Sequence, residues 1–140
     1  MIADIVIRLS NIAWKHGGTV MDIREQKIEA LKTAADYLER LIPAMDQVIS
    51  EIKNEMQEDT IDFLLQIIDG LNFMIETYNA TKDMINDPEP LINDDVLEST
   101  VGRLSDGFSK KDYSLIADEL STDIIPFLKV FREASLRASA

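Results

Sequence analysis

Residues 28–56, IEALKTAADYLERLIPAMDQVISEIKNEM, decide the fold class of this 140-residue chain. Their apolar side chains recur at alternating steps of three and four residues, which is the heptad spacing of a packed helix. This seam consists of Ile28, Leu31, Ala35, Leu38, Ile42, Met45, Ile49, Ile52 and Met56. Ala34, Leu41 and Val48 widen it into the broader stripe of a bundle helix. The stretch predicts one long helix, and Pro43 within it predicts a kink or a short break.

The chain is predicted to turn around Glu58-Asp59-Thr60, and a second long helix, with Asp59 or Thr60 as its N-cap, is predicted to run to about Ile85. Its inward positions are Ile61, Leu64, Ile68, Leu71, Ile75, Tyr78 and Ile85, flanked by Ile67 and Met74. Two long helices joined by a short turn imply an antiparallel hairpin. Gly70 inside the second helix indicates the close approach of a neighbouring helix.

A shorter hairpin follows the connector Asn86-Asp87-Pro88-Glu89-Pro90, because two prolines interrupt any helix there. Asn93 or Asp94 is the predicted cap of the third helix, whose inward residues are Leu97, Val101, Leu104 and Phe108. Asp112 is the predicted cap of the last helix, which contains Pro126. Its inward residues are Tyr113, Ile116, Leu120, Ile124, Phe127 and Phe131.

The N-terminal 16 residues form a shorter apolar pattern that ends at Gly17-Gly18. Ile2, Ile5, Leu9 and Ile12 repeat at spacings of three and four, which predicts an amphipathic helix. Helices that dock into grooves use this spacing, and tryptophan is enriched at interface hot spots. We therefore expect a partner-binding surface that consists of Ile5, Leu9, Ile12 and Trp14. The alternative is that this segment packs on its own bundle.

Together these patterns predict an all-α protein. The expected architecture is an antiparallel helical bundle of two long and two shorter helices with an N-terminal amphipathic helix. Residues 1–140 form a single domain in this interpretation. Its parts are the N-terminal helix and Gly-Gly hinge (1–18), the long helical hairpin (19–86), the acidic Pro linker (87–93) and the shorter helical hairpin (94–140).

Charge and cysteine content exclude several classes of function. With 26 acidic and 14 basic side chains, the net charge of -12 repels the phosphates of nucleic acids and anionic membranes. The absence of cysteine excludes disulfides, zinc knuckles and iron–sulfur clusters. No window approaches the roughly 18 apolar residues that a membrane-spanning helix needs. We therefore expect a cytoplasmic protein that binds neither nucleic acid nor membrane.

Catalytic and metal-binding chemistry has little support in the sequence. His16 is the only histidine, whereas zinc and di-iron bundles generally use more than one imidazole. We predict no catalytic residue, no metal site and no cofactor. The carboxylates near the first hairpin turn loosely resemble the acidic Mg²⁺-binding helices of all-helical nucleotide pyrophosphohydrolases. These residues are Glu51, Glu55, Glu58, Asp59 and Asp62. The same acids are also typical of an exposed helical face.

A second acidic run surrounds the proline connector and contains no base between its ends. Its members are Asp83, Asp87, Glu89, Asp94, Asp95 and Glu98. The run lacks the glycine and the alternating ligands of an EF-hand loop. It is either a solvated linker or an acidic dock for a basic segment of a partner.

The C-terminal part of the chain carries one resemblance. Residues 111–120, KDYSLIADEL, and 123–128, DIIPFL, resemble the C-terminal signature of an uncharacterised family of small all-helical bacterial proteins. The similarity extends over residues 94–131. It implies a helical fold and a bacterial cytoplasmic setting, and it brings no reaction, ligand or catalytic residue with it.

These observations favour a non-enzymatic protein-interaction module, such as an adaptor, an assembly factor or a chaperone-like partner in the bacterial cytoplasm. The alternatives are a Mg²⁺-dependent nucleotide pyrophosphohydrolase-like enzyme and a purely self-associating structural protein. A homodimer is also expected. The longest seam extends about 45 Å at 1.5 Å per residue, about twice the length of the third helix. Part of the long hairpin would then stay uncovered in a monomer.

Overall fold

The computed structural model describes residues 22–140, and the regular structure within this range is entirely helical. Its α-helices are α1 (Ile23–Lys53), α2 (Thr60–Ile85), α3 (Asp94–Ser109), α4 (Tyr113–Glu119) and α5 (Ile125–Ala138). A π-helical turn, Leu120–Ile124, joins α4 to α5 in one continuous rod. The prediction of an all-α protein is therefore confirmed.

Helix α1 packs against both α2 and the rod formed by α4 and α5. The ammonium group of Lys27, near the start of α1, lies 2.9 Å from a carboxylate oxygen of Asp83, near the end of α2. Lys53, the last residue of α1, lies 2.7 Å from Asp118 in α4. Helix α1 is therefore antiparallel to both neighbours and lies between them.

The buried face of α1 is broader than the heptad seam alone. Its buried residues are Leu31, Ala34, Ala35, Leu38, Leu41, Met45, Val48 and Ile49. Ile28, Ile42 and Ile52 of the predicted seam are only half-buried, and Met56 lies exposed beyond the end of the helix. Because α1 has a neighbour on each side, its buried face includes residues of the seam and also the flanking residues Ala34, Leu41 and Val48.

Pro43 does not break α1, which continues through it as one α-helix, so the predicted short break is wrong. The proline ring is exposed to solvent. Proline removes one backbone hydrogen bond and crowds the carbonyl four residues earlier. The packing of the buried face on both sides of Pro43 keeps the two halves in one helix.

The predicted bounds of α2 agree with the structure, and Gly70 has the expected role. A Cβ atom on Gly70 would overlap the hydroxyl of Tyr37 and lie 3.0 Å from Cδ1 of Leu41. The glycine thus allows α1 and α2 to approach closely. At the start of α2, Asp59 makes no capping bond with its side chain. Instead, the hydroxyl of Thr60 accepts from the backbone N–H of Gln57 at 2.8 Å.

Side-chain caps position the shorter helices. The carbonyl oxygen of the Asn93 side chain accepts hydrogen bonds from the backbone at Asp95 and Val96, and Asp112 accepts from Leu115. Both residues were predicted as caps. Val101 was predicted to face inward, but its side chain is 36% exposed. Helix α3 packs mainly against α4, and Val101 instead borders an open cleft between α3 and α2.

The π turn lies directly before Pro126. The backbone N–H of Ile125 donates to the carbonyl of Leu120, five residues earlier. A proline ring in a regular helix would clash with the carbonyl four residues before it, that of Thr122. The wider π turn accommodates this proline while the rod continues toward Ala138.

Candidate functional site

The predicted partner-binding residues, Ile5, Leu9, Ile12 and Trp14, lie outside the described residues, as does His16. Within residues 22–140, a concave apolar surface lies between α3 and α5. We call it the α3–α5 groove, and its volume is about 250 Å³. Its apolar walls are formed by Leu91, Ile92, Val96, Leu97, Phe127 and Val130.

The groove exposes apolar side chains that a closed core would cover. Val96 on α3 is 58% exposed, and Val130 on α5 is 39% exposed. Leu91, in the connector before α3, is also exposed. Burial of an apolar side chain on binding is favourable at about 25 cal/mol per Å² of apolar surface. The groove is therefore able to stabilise an apolar partner surface.

Aromatic packing makes the α5 wall of the groove rigid. The ring of Phe127 is stacked on that of Phe131, with centroids 6.0 Å apart and planes inclined by 3°. The ring of Tyr78 from α2 contacts Phe127 edge-on at 5.7 Å and Phe131 at 5.8 Å. Such edge-on contacts add to the stability gained from burial. The wall is therefore formed before any partner binds.

A polar network attaches the connector and the start of α3 to α2. The hydroxyl of Tyr78 donates to Asp94 at 2.7 Å, and the side-chain amide of Asn86 donates to the same hydroxyl at 3.1 Å. The side-chain carbonyl of Asn86 accepts from the backbone N–H groups of Leu91 and Ile92 at 2.9 and 3.0 Å. Asn86 thus positions the connector residues that line the groove.

The same network shifts the pKa values of two side chains, Tyr78 and Asp94. Burial and the hydrogen bond to Asp94 raise the pKa of Tyr78 to about 12. The hydrogen bonds from Tyr78 and Lys82 hold the pKa of Asp94 below its ordinary value. The Lys82 ammonium lies 3.0 Å from the second carboxylate oxygen of Asp94. Both shifts favour the protonated tyrosine and the ionised aspartate, the states that the hydrogen bond between them requires.

A second polar cluster joins the middle of α3 to the rod that contains α4 and α5. The guanidinium of Arg103 donates to Glu119 at 2.9 Å and to Asp123 at 3.4 Å, and it also contacts the Thr100 hydroxyl at 3.2 Å. The two carboxylates raise the pKa of Arg103. Asp123 and Thr100 also border the groove. This cluster therefore fixes the spacing between the two walls.

The carboxylates at the first hairpin turn do not form a metal-binding cluster in the structure. Glu51 accepts a hydrogen bond from the hydroxyl of Thr60 at 2.8 Å. Within residues 22–140, no three histidine, cysteine or acidic side chains converge in a way that could hold a metal ion. Glu51 therefore has a structural contact that accounts for its position at the turn.

A second, partly exposed apolar surface lies along α2, and two of its residues, Ile68 and Ile75, also pack against the core. It is a stripe of residues at helical spacing, namely Ile61, Leu65, Ile68 and Ile75, which we call the α2 stripe. Leu65 is 49% exposed, and the three isoleucines are half-buried. The stripe lies on the long hairpin, where an uncovered surface was predicted.

Sequence patterns alone did not identify the groove. Val96 and Val130 lie outside the predicted inward positions, and they are far apart along the chain. The usable signal was that each is an apolar residue outside the predicted inward positions of its helix. An apolar residue in such a position is common on protein surfaces. Only the packing of α3 near α5 brings these residues into one surface.

Comparison with known proteins gives a single positive result. A family model described as a domain of unknown function (DUF8042) matches residues 29–134. Neither the curated proteins nor the solved structures contain a match. In the described part of the chain, no helix is both long enough and apolar enough to cross a membrane.

Proposed function

The chain belongs to the family defined by this domain of unknown function, DUF8042, and we propose that it acts without catalysis, as a protein-interaction module. The observation that carries the proposal is the α3–α5 groove, which exposes Val96 and Val130 between rigid walls. Grooves of this kind accept the apolar face of an amphipathic helix. In this role the protein is an adaptor, an assembly factor or a chaperone-like partner in a bacterial cytoplasm.

The charge around the groove defines the chemistry of the partner. The connector residues Asp87 and Glu89 lie four and two residues before Leu91, which lines the groove. A docking helix with basic residues beside its apolar face would match these acids, since complementary charge increases association rate and specificity. The net charge of -12 disfavours nucleic acid and anionic membrane as partners.

Affinity purification from the native cells tests this proposal with three forms of the full-length protein. The forms are the wild type, the groove variant Val96→Asp with Val130→Asp, and the control variant Leu136→Asp, whose residue is exposed on α5 outside the groove. All three substitutions replace exposed apolar residues, so the folds are expected to persist, and circular dichroism checks this. We expect at least one protein that copurifies with the wild type and the control but is lost from the groove variant. If the groove variant retains every partner, the groove does not carry the function.

We also propose that the protein forms a homodimer through the α2 stripe. The stripe is partly exposed on the long hairpin, and a twofold pairing would cover it from a second copy. Light scattering during size-exclusion chromatography measures the mass at physiological salt. We expect a two-chain mass for the wild type and a one-chain mass for Leu65→Asp. A wild-type mass of one chain at tens of micromolar would contradict the dimer.

A further inference from the structure

The described part of the chain begins at the end of the molecule where the α3–α5 groove opens. Near the start of α1, Lys27 contacts Asp83 at the end of α2. Asn86 follows α2 directly and binds the backbone of Leu91 and Ile92, two residues of the groove. The 21 residues that precede Asp22 are therefore attached close to this opening.

We propose that the N-terminal segment, residues 1–16, occupies the α3–α5 groove of its own chain through Ile5, Leu9 and Ile12. This inference rests on the same groove as the proposed function. It identifies an occupant within the chain that a partner helix would have to displace.

The apolar stripe of the N-terminal segment and the α5 wall of the groove have similar lengths. From Ile5 to Ile12, an α-helix rises about 10 Å at 1.5 Å per residue. The α5 side of the groove extends from Asp123 to Val130, which is the same number of residues and also about 10 Å. The apolar stripe of the segment is therefore as long as the wall that it would cover.

The charges are complementary. Residues 1–21 carry Arg8 and Lys15 against Asp4, so the segment is net basic. The remaining chain, residues 22–140, carries 12 basic and 25 acidic side chains. The groove opens beside the acidic connector that contains Asp87 and Glu89. The net basic N-terminal segment is thus attached beside an acidic border.

The short tether favours the same chain over a second copy. Only a few residues, including Gly17 and Gly18, separate the segment from Asp22. Short flexible tethers give effective concentrations in the millimolar range. A second copy at micromolar concentration therefore competes poorly for the groove with the tethered segment.

In a helical segment, Trp14 lies about 180° around the axis from Ile5, so its ring would face away from the groove.

Disulfide trapping tests the proposal, because the chain contains no cysteine of its own. The test protein is the full-length chain with Leu9→Cys and Val130→Cys. Its matched control carries Ile7→Cys and Val130→Cys, since Ile7 lies on the opposite side of the predicted helix from Leu9. A third protein, with Leu9→Cys and Leu136→Cys, reports random collisions of the segment with an exposed site outside the groove. Each is oxidised with diamide at low micromolar concentration.

We expect the Leu9–Val130 pair to form an intramolecular disulfide about tenfold faster than either control, because a disulfide needs closely spaced Cα atoms. Equal rates for the three proteins would overturn docking through the stripe. A product with the mass of two chains would overturn the intramolecular arrangement. Circular dichroism of the reduced proteins confirms that each is folded.

The outcomes also separate this inference from the proposed function. Equal trapping rates, together with a partner that the Val96→Asp and Val130→Asp variant loses, would leave the groove as a partner site without an internal occupant. Rapid trapping of Leu9 with Val130, without any groove-dependent partner, would leave the internal contact and remove the proposed interaction role.

Discussion

Helices α1 and α3 have similar amphipathic patterns but very different surroundings. Helix α1 lies between α2 and the α4–α5 rod, and its buried face includes Leu31, Leu38 and Met45, which are fully inaccessible. Helix α3 buries only Leu97, Thr100, Leu104 and Gly107. The comparison shows that an amphipathic pattern identifies the apolar side of a helix, whereas burial depends on how many neighbours cover that side.

The two helices are also held in place by different forces. Helix α1 is stabilised mainly by apolar burial on both sides. Helix α3 packs on α4 and is attached to its surroundings by polar groups, through Asp94 at its start and Arg103 further along. It therefore leaves Val96 exposed beside the groove. We therefore expect α1 and its partner helices to dominate stability, and the proposed binding surface to lie on α3 and α5.

The largest predicted effect is loss of packing in the long hairpin. Leu38→Ala in α1 and Leu71→Ala in α2 each remove a buried side chain, so each should lower the free energy of unfolding by about 2–5 kcal/mol. The matched change in α3, Val101→Ala, affects an exposed residue and should stay within about 0.5 kcal/mol. Urea unfolding followed by circular dichroism measures all three. Unmoved midpoints for Leu38→Ala and Leu71→Ala would show that the long hairpin does not dominate stability.

A smaller effect is predicted for the polar network that attaches α3. Tyr78→Phe removes the hydroxyl that bonds to Asp94 and Asn86 and should lower the free energy of unfolding by about 1 kcal/mol. The aromatic packing with Phe127 stays in place. Chemical unfolding at pH 7 gives the value. A loss as large as that of Leu38→Ala would mean that α3 is as essential to stability as α1.

The Tyr78 network also predicts a dependence on alkaline pH. The folded tyrosine keeps its proton to about pH 12, whereas the ordinary pKa is 10.0. A raised pKa in the folded state stabilises the fold below pH 10, and this contribution is lost as the pH rises to about 12. The stability difference between the wild type and Tyr78→Phe should therefore shrink over this range. A difference that stays constant from pH 10 to 12 would contradict the raised pKa.

The smallest predicted effects on stability are those of alanine substitutions at two glycines, one destabilising and the other stabilising. Gly70→Ala places a Cβ against Tyr37 and Leu41, so overpacking should outweigh the better helix propensity and cost about 1 kcal/mol net. Gly102→Ala in α3 meets no atom within 4 Å and should stabilise by about 0.5–1 kcal/mol. Thermal unfolding of both variants measures these changes in stability. Stabilisation by both would show that α1 and α2 can separate without cost.

Local sequence signals predicted the helix ends well, because capping involves residues close together in the chain. Asn93 and Asp112 cap their helices as expected. The end of α1 was placed too late, since Met56 continues the apolar spacing but lies outside the helix. The side chain of Asn54 instead bonds to the carbonyl and hydroxyl of Ser50, and the helix ends at Lys53. Apolar spacing can thus extend past the point where polar contacts end a helix.

The sequence by itself determined the all-α class, the helices of residues 22–140 and the apolar side of each. These features follow from helical periodicity and from capping, which act over a few residues. Only the tertiary structure decided that α1 has neighbours on both sides, that Val101 remains exposed, and that Val96 and Val130 share one groove. These features depend on contacts between distant segments, because periodicity within one helix contains no information about which helix will cover it.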